Sequence, residues 1–210
     1  MRSGSPEFAA AGALLRRAHE VAVTGFGSVA AGRDGLHGED RTWAATMSRR
    51  VADLEPIAAA RLVDGNLLVR AATAVADRSG WFGSCHQGRL LHGDFHPRHV
   101  YARDGQITAI IDWGDATSGD PLYDLGRVLH SVASRRDLRR GFAVVDRVLG
   151  SYGPAPWLPA DSTGLLLLYA VVFVLWAMKG EFAGGSPWPP WWPTQAAVLT
   201  ALLDELDRAS

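Results

Sequence analysis

The 210-residue sequence predicts an α+β domain that is mostly α-helical, with one small β-hairpin at about residues 99–112. Two observations carry this reading. Apolar residues recur at helical spacing in most of the segments between glycine and proline boundaries. One segment breaks the pattern: Asp104-Gly105 stands between two short alternating runs, His99–Arg103 and Gln106–Asp112. Asp-Gly in that setting marks a tight hairpin turn, which needs positive φ at both central residues.

The elements follow in order. Ser5-Pro6 offers an N-cap and a first-turn proline. Phe8, Ala11, Leu14, Leu15, Ala18 and Val21 then recur at helical spacing to about Val23. Gly25-Phe26-Gly27 ends that helix, and the glycine-rich Ser28–Gly38 reads as a loop. Arg41–Leu54 is a second helix with Trp43, Met47 and Val51 on one side. Pro56–Leu62 and Asn66–Ala76 are helices broken at Asp64-Gly65, and Gly80–Gly88 is a loop. Past the hairpin, Asp120-Pro121 starts a helix through about Ser134, Asp137–Leu149 forms the next, and Gly150–Pro159 is a proline-rich turn. Leu165–Met178 is uncharged and strongly apolar. It is shorter than the ~20 residues of a membrane span and reads as a buried helix. Gly184–Pro193 cannot be regular, because its prolines remove donors and fix φ. Its tryptophans read as a packed flap, or as one wall of a pocket. Thr194–Ala209 closes the chain as a helix.

Composition narrows the function classes. With 48% hydrophobic and 20% charged residues the chain can bury a core as one domain or two small lobes. A net charge of −1 and the lack of a basic run give no reason to expect nucleic acid. The single cysteine, Cys85, excludes an internal disulfide and suits a reducing, cytoplasmic compartment. The opening MRSGSPEF has no apolar core of a signal peptide. Residues 1–8 read as a tag or disordered start, and 9–210 as the domain. Of 21 basic residues only Lys179 is a lysine.

The chemistry concentrates in His92–Asp112, HGDFHPRHVYARDGQITAIID. Folding of the hairpin returns Asp112 towards the His-Gly-Asp loop, so Asp94, His99 and Asp112 converge. Two carboxylates and an imidazole suit a divalent metal or proton transfer to a hydroxyl. A zinc site from His92, His96, His99 and Asp94 is the rival. Gly93 and Pro97 oppose the helix that would put His92 and His96 on one face.

HGDFHPRH, IIDWGDA and GDPLYDLG, in that order, resemble the aminoglycoside phosphotransferase family. Its members are small-molecule kinases with a protein-kinase-like fold whose core carries H-G-D-x-x-x-x-N, I-D-[WFL]-G-x-A and G-D-P-x-x-D-L. The likeness is strong over Leu90–His130 and weak in the flanks. It implies the helical C-terminal lobe of that fold, with a catalytic core at 90–130. The implied activity is transfer of the γ-phosphoryl group of ATP (or GTP), with Mg2+, to a hydroxyl of a small-molecule acceptor. Asp94 then handles the hydroxyl, Asp112 holds metal on the nucleotide phosphates, Asp124 braces the catalytic loop and His92 ties it to backbone. His99 stands where the family has its second metal ligand, Asn. Imidazole suits softer ions than magnesium, so Mn2+ becomes an expected alternative. Aminoglycoside, hygromycin-like, macrolide, choline-like and homoserine-like acceptors all fit such a lobe, the first three implying antibiotic resistance.

Gly25, Gly27 and Gly32 do not read as a nucleotide loop, since they lie between predicted helices and no lysine follows before Lys179. The expectation is therefore that the N-terminal β lobe is absent from this chain or supplied by another, and that the chain alone is inactive. The alternative is a non-catalytic small-molecule-binding module or a truncated fragment.

Overall fold

A computed structural model describes residues 6–133, 138–159, 162–185 and 191–209. In chain order these form α1 (Pro6–Ala10), α2 (Gly12–His19), β1 (Ala22–Val23), β2 (Phe26–Gly32), β3 (Gly35–Asp40), α3 (Trp43–Val51), α4 (Glu55–Ala59), α5 (Gly65–Asp77) and β4 (Gly88–Leu91). There follow β5 (Val100–Arg103), β6 (Gln106–Ile110), β7 (Thr117–Gly119), α6 (Leu122–Ala133), α7 (Leu138–Tyr152), α8 (Thr163–Ala183) and α9 (Trp191–Arg208). Of the described residues 61% are helical, with a curled five-stranded antiparallel sheet in the order β1-β4-β7-β2-β3 and a separate β5–β6 hairpin.

Local chemistry sets several boundaries. Thr42 accepts a hydrogen bond from Ala45 N and opens α3, and Asp64 does the same for Asn66 N at α5. Asp120 Oδ1 accepts from Leu122 N at 2.9 Å and opens α6. In the β5–β6 turn Asp104 and Gly105 have φ of 51° and 74°, the left-handed pair the sequence predicts.

The core is built on α8. This 21-residue helix is apolar on nearly every side, so it can lose all its apolar surface to water only by being surrounded. α6 and α9 flank it, with Leu166–Leu175 all buried. Length and composition alone would let α8 cross a membrane. Its packing is that of a core helix. A buried polar anchor is Tyr169, whose hydroxyl accepts from Trp43 Nε1 at 2.8 Å and donates to Asp120 Oδ2 at 2.8 Å. These bonds tie α8 to α3 and to the start of α6.

Two stretches correct the sequence reading. The helix expected to reach Val23 stops at His19, and Ala22–Val23 pair with β4 instead. The expected loop Ser28–Gly38 is the β2–β3 hairpin, which joins the sheet through Gly27↔Ser118 and Ser28↔Thr117. Its glycines serve close backbone approach. A Cβ on Gly38 would stand 2.4 Å from the Phe26 backbone, and one on Gly25, at φ 80°, 2.8 Å from Gly38 O. The glycines thus do lie between strands, and β3 (GLHGED) carries no lysine. A third difference is at the end of the chain, where α9 begins at Trp191. Ser5 and residues 186–190 lie outside the described residues. Phe8, within the opening segment, is fully buried and stacks on Phe95 of the catalytic loop at 5.4 Å.

Candidate active site

The His92–His99 loop leaves β4 and is shaped first by Gly93. Its φ is 83°, and a Cβ there would fall 1.9 Å from Asp115 O, so no other residue fits between the loop and the β6–β7 connection. Asp124, fully buried on α6, holds the loop from below. Its Oδ2 accepts from His92 N at 2.8 Å and its Oδ1 from Gly93 N at 2.9 Å. His19 Nε2 lies 3.1 Å from Asp124 Oδ2, and His19 Nδ1 lies 2.9 Å from the Tyr152 hydroxyl. Trp157 Nε1 donates to that hydroxyl at 2.9 Å. The bonds therefore run one way: indole to phenol, phenol to imidazole, imidazole to carboxylate. His92 bridges the loop from above, its Nδ1 accepting from Asp94 N at 3.2 Å and its Nε2 donating to Ile111 O at 2.9 Å.

Asp94 reaches out of this frame. Arg127 Nε donates to its Oδ1 at 2.5 Å, and His96 Nε2 stands 3.5 Å from its Oδ2. Burial opposes ionisation of Asp94, but His96 and the Arg127 guanidinium together outweigh it and hold the carboxyl well below the usual range. Burial in turn keeps the His96 ring below its ordinary value despite the pull of Asp94. Arg127 lies over Phe173, 4.5 Å from the ring centroid, and its Nη1 is 3.2 Å from His130 Nδ1.

Asp112 follows β6 in the left-handed region, at φ 66° and ψ 61°, which Asp tolerates better than most residues. Its side chain is 62% exposed and its Oδ2 lies 3.3 Å from His99 Nε2. His99 Nδ1 donates to Asp94 O at 3.0 Å. That bond puts the ring proton on Nδ1 and leaves the Nε2 lone pair facing Asp112. A nitrogen and an oxygen 3.3 Å apart can share one ion at bond lengths of about 2.0–2.3 Å. The pair fits a divalent metal, and its mixed donor set favours manganese over magnesium. Asp115 is the third carboxylate nearby. Burial and the neighbouring Asp94 push its carboxyl above the ordinary value.

Asp94, His96 and His99 also offer ligand atoms within 4.8 Å of one another. The hydrogen bonds oppose a metal there. His96 Nδ1 accepts from Arg98 N at 3.1 Å, which leaves its proton on Nε2, the nitrogen facing Asp94. The His99 nitrogen nearest Asp94 likewise carries a proton. His92 has both nitrogens engaged. The zinc alternative fails on proton placement as well as on Pro97.

The sequence reading brought together Asp94, His99 and Asp112 and placed His92 and Asp124 beside them. It missed His19, Arg127 and the direct contact of His96 with Asp94. Arg127 had a signal, lying three residues after Asp124 on the same helix; His19 had none. Arg98 is exposed. Asp120 acts as a buried cap and belongs to no group of three metal-capable side chains among the described residues.

The family model described as "Phosphotransferase enzyme family" (APH) matches residues 6–158. The chain belongs to the APH phosphotransferase family. It is 32% identical over 68 residues to hygromycin-B 4-O-kinase of Escherichia coli, a match covering 32% of this chain and 20% of that enzyme. A thermostable mutant of aminoglycoside phosphotransferase APH(4)-Ia in its apo form superposes with a TM-score of 0.64 at 20% identity, covering all of this chain and 67% of that one. Choline kinase LicA from Streptococcus pneumoniae superposes at 0.61 and 15% identity, covering 98% and 66%. At these identities the superpositions speak for the fold. This chain therefore spans about a fifth of the curated relative and about two thirds of the solved ones.

One prediction belongs to the metal pair. If His99 Nε2 is a ligand, His99→Asn replaces imidazole with an amide oxygen and should move metal preference from manganese towards magnesium by about tenfold, the size of a modest ligand change. Competition between the two ions, followed by the water-proton relaxation of bound manganese, measures it. Identical preferences before and after would remove His99 from the site.

Proposed function

We propose that this APH-family protein is an ATP-dependent O-phosphotransferase that moves the γ-phosphoryl group to a hydroxyl of a small molecule in the cytoplasm. The observation that carries this is the split between two carboxylates. Asp94 is ionised, tethered and half-buried, whereas Asp112 is exposed and shares its face with the free lone pair of His99. Solved APH(4)-Ia has been captured with ADP and hygromycin B, which supports nucleotide use by the fold. In this reading Asp112 and His99 hold the divalent ion. Once bound, that ion neutralises charge on the β- and γ-phosphates.

Asp94 then orients the acceptor hydroxyl. With its basicity depressed by Arg127 and His96 it is a weak base. The hydroxyl proton passes to it only as the new O–P bond forms, when the oxygen has become acidic. Phosphoryl transfer demands little more of the protein than such positioning. The triphosphate finds few cations near the metal pair: Lys179, the one lysine, is on α8, bonded to Arg49 O at 3.1 Å. The 210-residue chain tested by itself is therefore expected to bind ATP only weakly and to transfer no phosphate.

Paramagnetic manganese supplied with AMP-PNP tests the nucleotide side even at weak affinity. It should broaden the NMR resonances of His99, Asp112 and Trp113 before any others, and Asp112→Asn should abolish this. Broadening confined to other parts of the protein would refute the reading, and tight ATP binding would refute the expectation of weakness.

A further inference from the structure

The acceptor side of Asp94 is cationic and aromatic. From Asp94 the contacts run to Arg127, then to Phe173 beneath its guanidinium, then to Trp176, whose ring centroid is 5.2 Å from that of Phe173. Over Trp176 lies Arg50, 5.1 Å from the ring centroid and 4.7 Å from that of Tyr123. Trp176 and Arg50 open into a cavity of about 380 Å³ whose wall also includes Arg49, Lys179 and Glu39. That volume suits a small ligand.

The charges in this cavity do not cancel. Arg49 Nη2 lies 2.5 Å from Glu39 Oε1 and 2.5 Å from Asp40 Oδ2, so that trio carries one negative charge in excess. Arg50 donates to the neutral Tyr123 hydroxyl at 2.5 Å, and Lys179 to a backbone carbonyl. Neither has a carboxylate within ion-pair distance among the described residues. Asp94 is neutralised by Arg127. Burial and Asp94 push the Asp115 carboxyl up, against the pull of Arg50. Arg50 lies over both the Tyr123 and Trp176 rings, with no carboxylate within ion-pair distance among the described residues. Such an arrangement recognises a carboxylate bidentately. With the excess negative charge of the Arg49 trio counted, Arg50 and Lys179 leave this wall with one positive charge in excess, which a polycation would meet instead.

We propose that the acceptor is a hydroxylated small molecule bearing a carboxylate, its ring stacked on Trp176, its carboxylate on Arg50 and Lys179, and its hydroxyl at Asp94. This rests on the phosphotransferase reading for the role of Asp94, but the binding it predicts is independent of nucleotide. The test uses 4-nitrophenyl β-D-glucuronide and 4-nitrophenyl β-D-glucoside, which share ring and hydroxyls and differ in the carboxylate. Without nucleotide, calorimetry on the whole chain should give the glucuronide at least about tenfold tighter binding than the glucoside. Added salt should erode the difference. Arg50→Gln should abolish the preference, and Lys179→Gln, at a half-exposed site far less involved in packing, should reduce it severalfold. Equal affinity for the two glycosides, no binding of either, a preference unchanged in both variants, or tighter binding of hygromycin B than of the glucuronide would each overturn the proposal. Failure here with manganese–AMP-PNP broadening intact would strike the acceptor class alone. Glucuronide preference without that broadening would strike the phosphotransferase reading alone.

Discussion

Asp124→Ala is expected to destabilise the protein by about 3–5 kcal/mol, because three buried donors lose their ionised acceptor at once. The carboxylate is fully buried and accepts from His92 N, Gly93 N and His19. Its loss strands three donors where water cannot replace it, and a stranded buried donor costs about 1–3 kcal/mol. Because Gly93 is also wedged against Asp115 O, the loop cannot swing out to find other partners. Urea unfolding of the variant measures the loss. Asp124→Asn keeps one acceptor oxygen and should lose about half as much. A change below about 1 kcal/mol for the alanine variant, within the range of surface substitutions and weak contacts, would mean that the loop is held by packing.

In a catalytically active form of the protein that contains this domain, Asp94→Asn should lower phosphotransferase turnover by two to four decades, the range typical of losing a positioned proton acceptor. The variant keeps the size of the side chain and loses its charge, so the hydroxyl is no longer oriented by an anion. The sequence suggests almost no effect on folding, since a cleft carboxylate packs little. The structure raises that cost, because Arg127 loses its ion pair while half-buried. It keeps its place over Phe173 and its contact with His130, so the fold should persist. Single-turnover rates with nucleotide and acceptor in excess measure the chemical step, and the circular dichroism melt measures the rest. The depressed carboxyl also fixes the pH behaviour. Asp94 stays ionised from neutral pH down past the ordinary carboxylate value near ~4, so the acid limb of activity should lie below that. Retention of wild-type turnover by Asp94→Asn would remove it from the reaction.

The sequence determined the local features, because each is enforced within a few residues. Asp104-Gly105 forces a tight turn wherever the flanking strands go. Asp64 and Asp120 each cap the helix that starts beside them, and the apolar α8 had to be surrounded. The order of HGDFHPRH, IIDWGDA and GDPLYDLG placed Asp94, Asp112 and Asp124 in one site, and Asp112 does return to within 3.3 Å of His99.

The tertiary structure decided what depends on partners distant in the chain. Phe26–Gly32 has the glycines and small residues of a loop; it pairs with β3 in a hairpin, and it is β7, 90 residues on, that ties the hairpin into the sheet. His19 is 105 residues from Asp124, and nothing around it announces a buried carboxylate. Arg127 meets Asp94 only because α6 lies under the loop, and that contact helps to hold the Asp94 carboxyl well below the usual range. The protons on His92, His96 and His99 likewise follow from backbone groups that folding brings to their rings, and they decide which nitrogen can face a metal. Residue type supplies a donor or an acceptor; only the fold decides which of them meet, and with what charge.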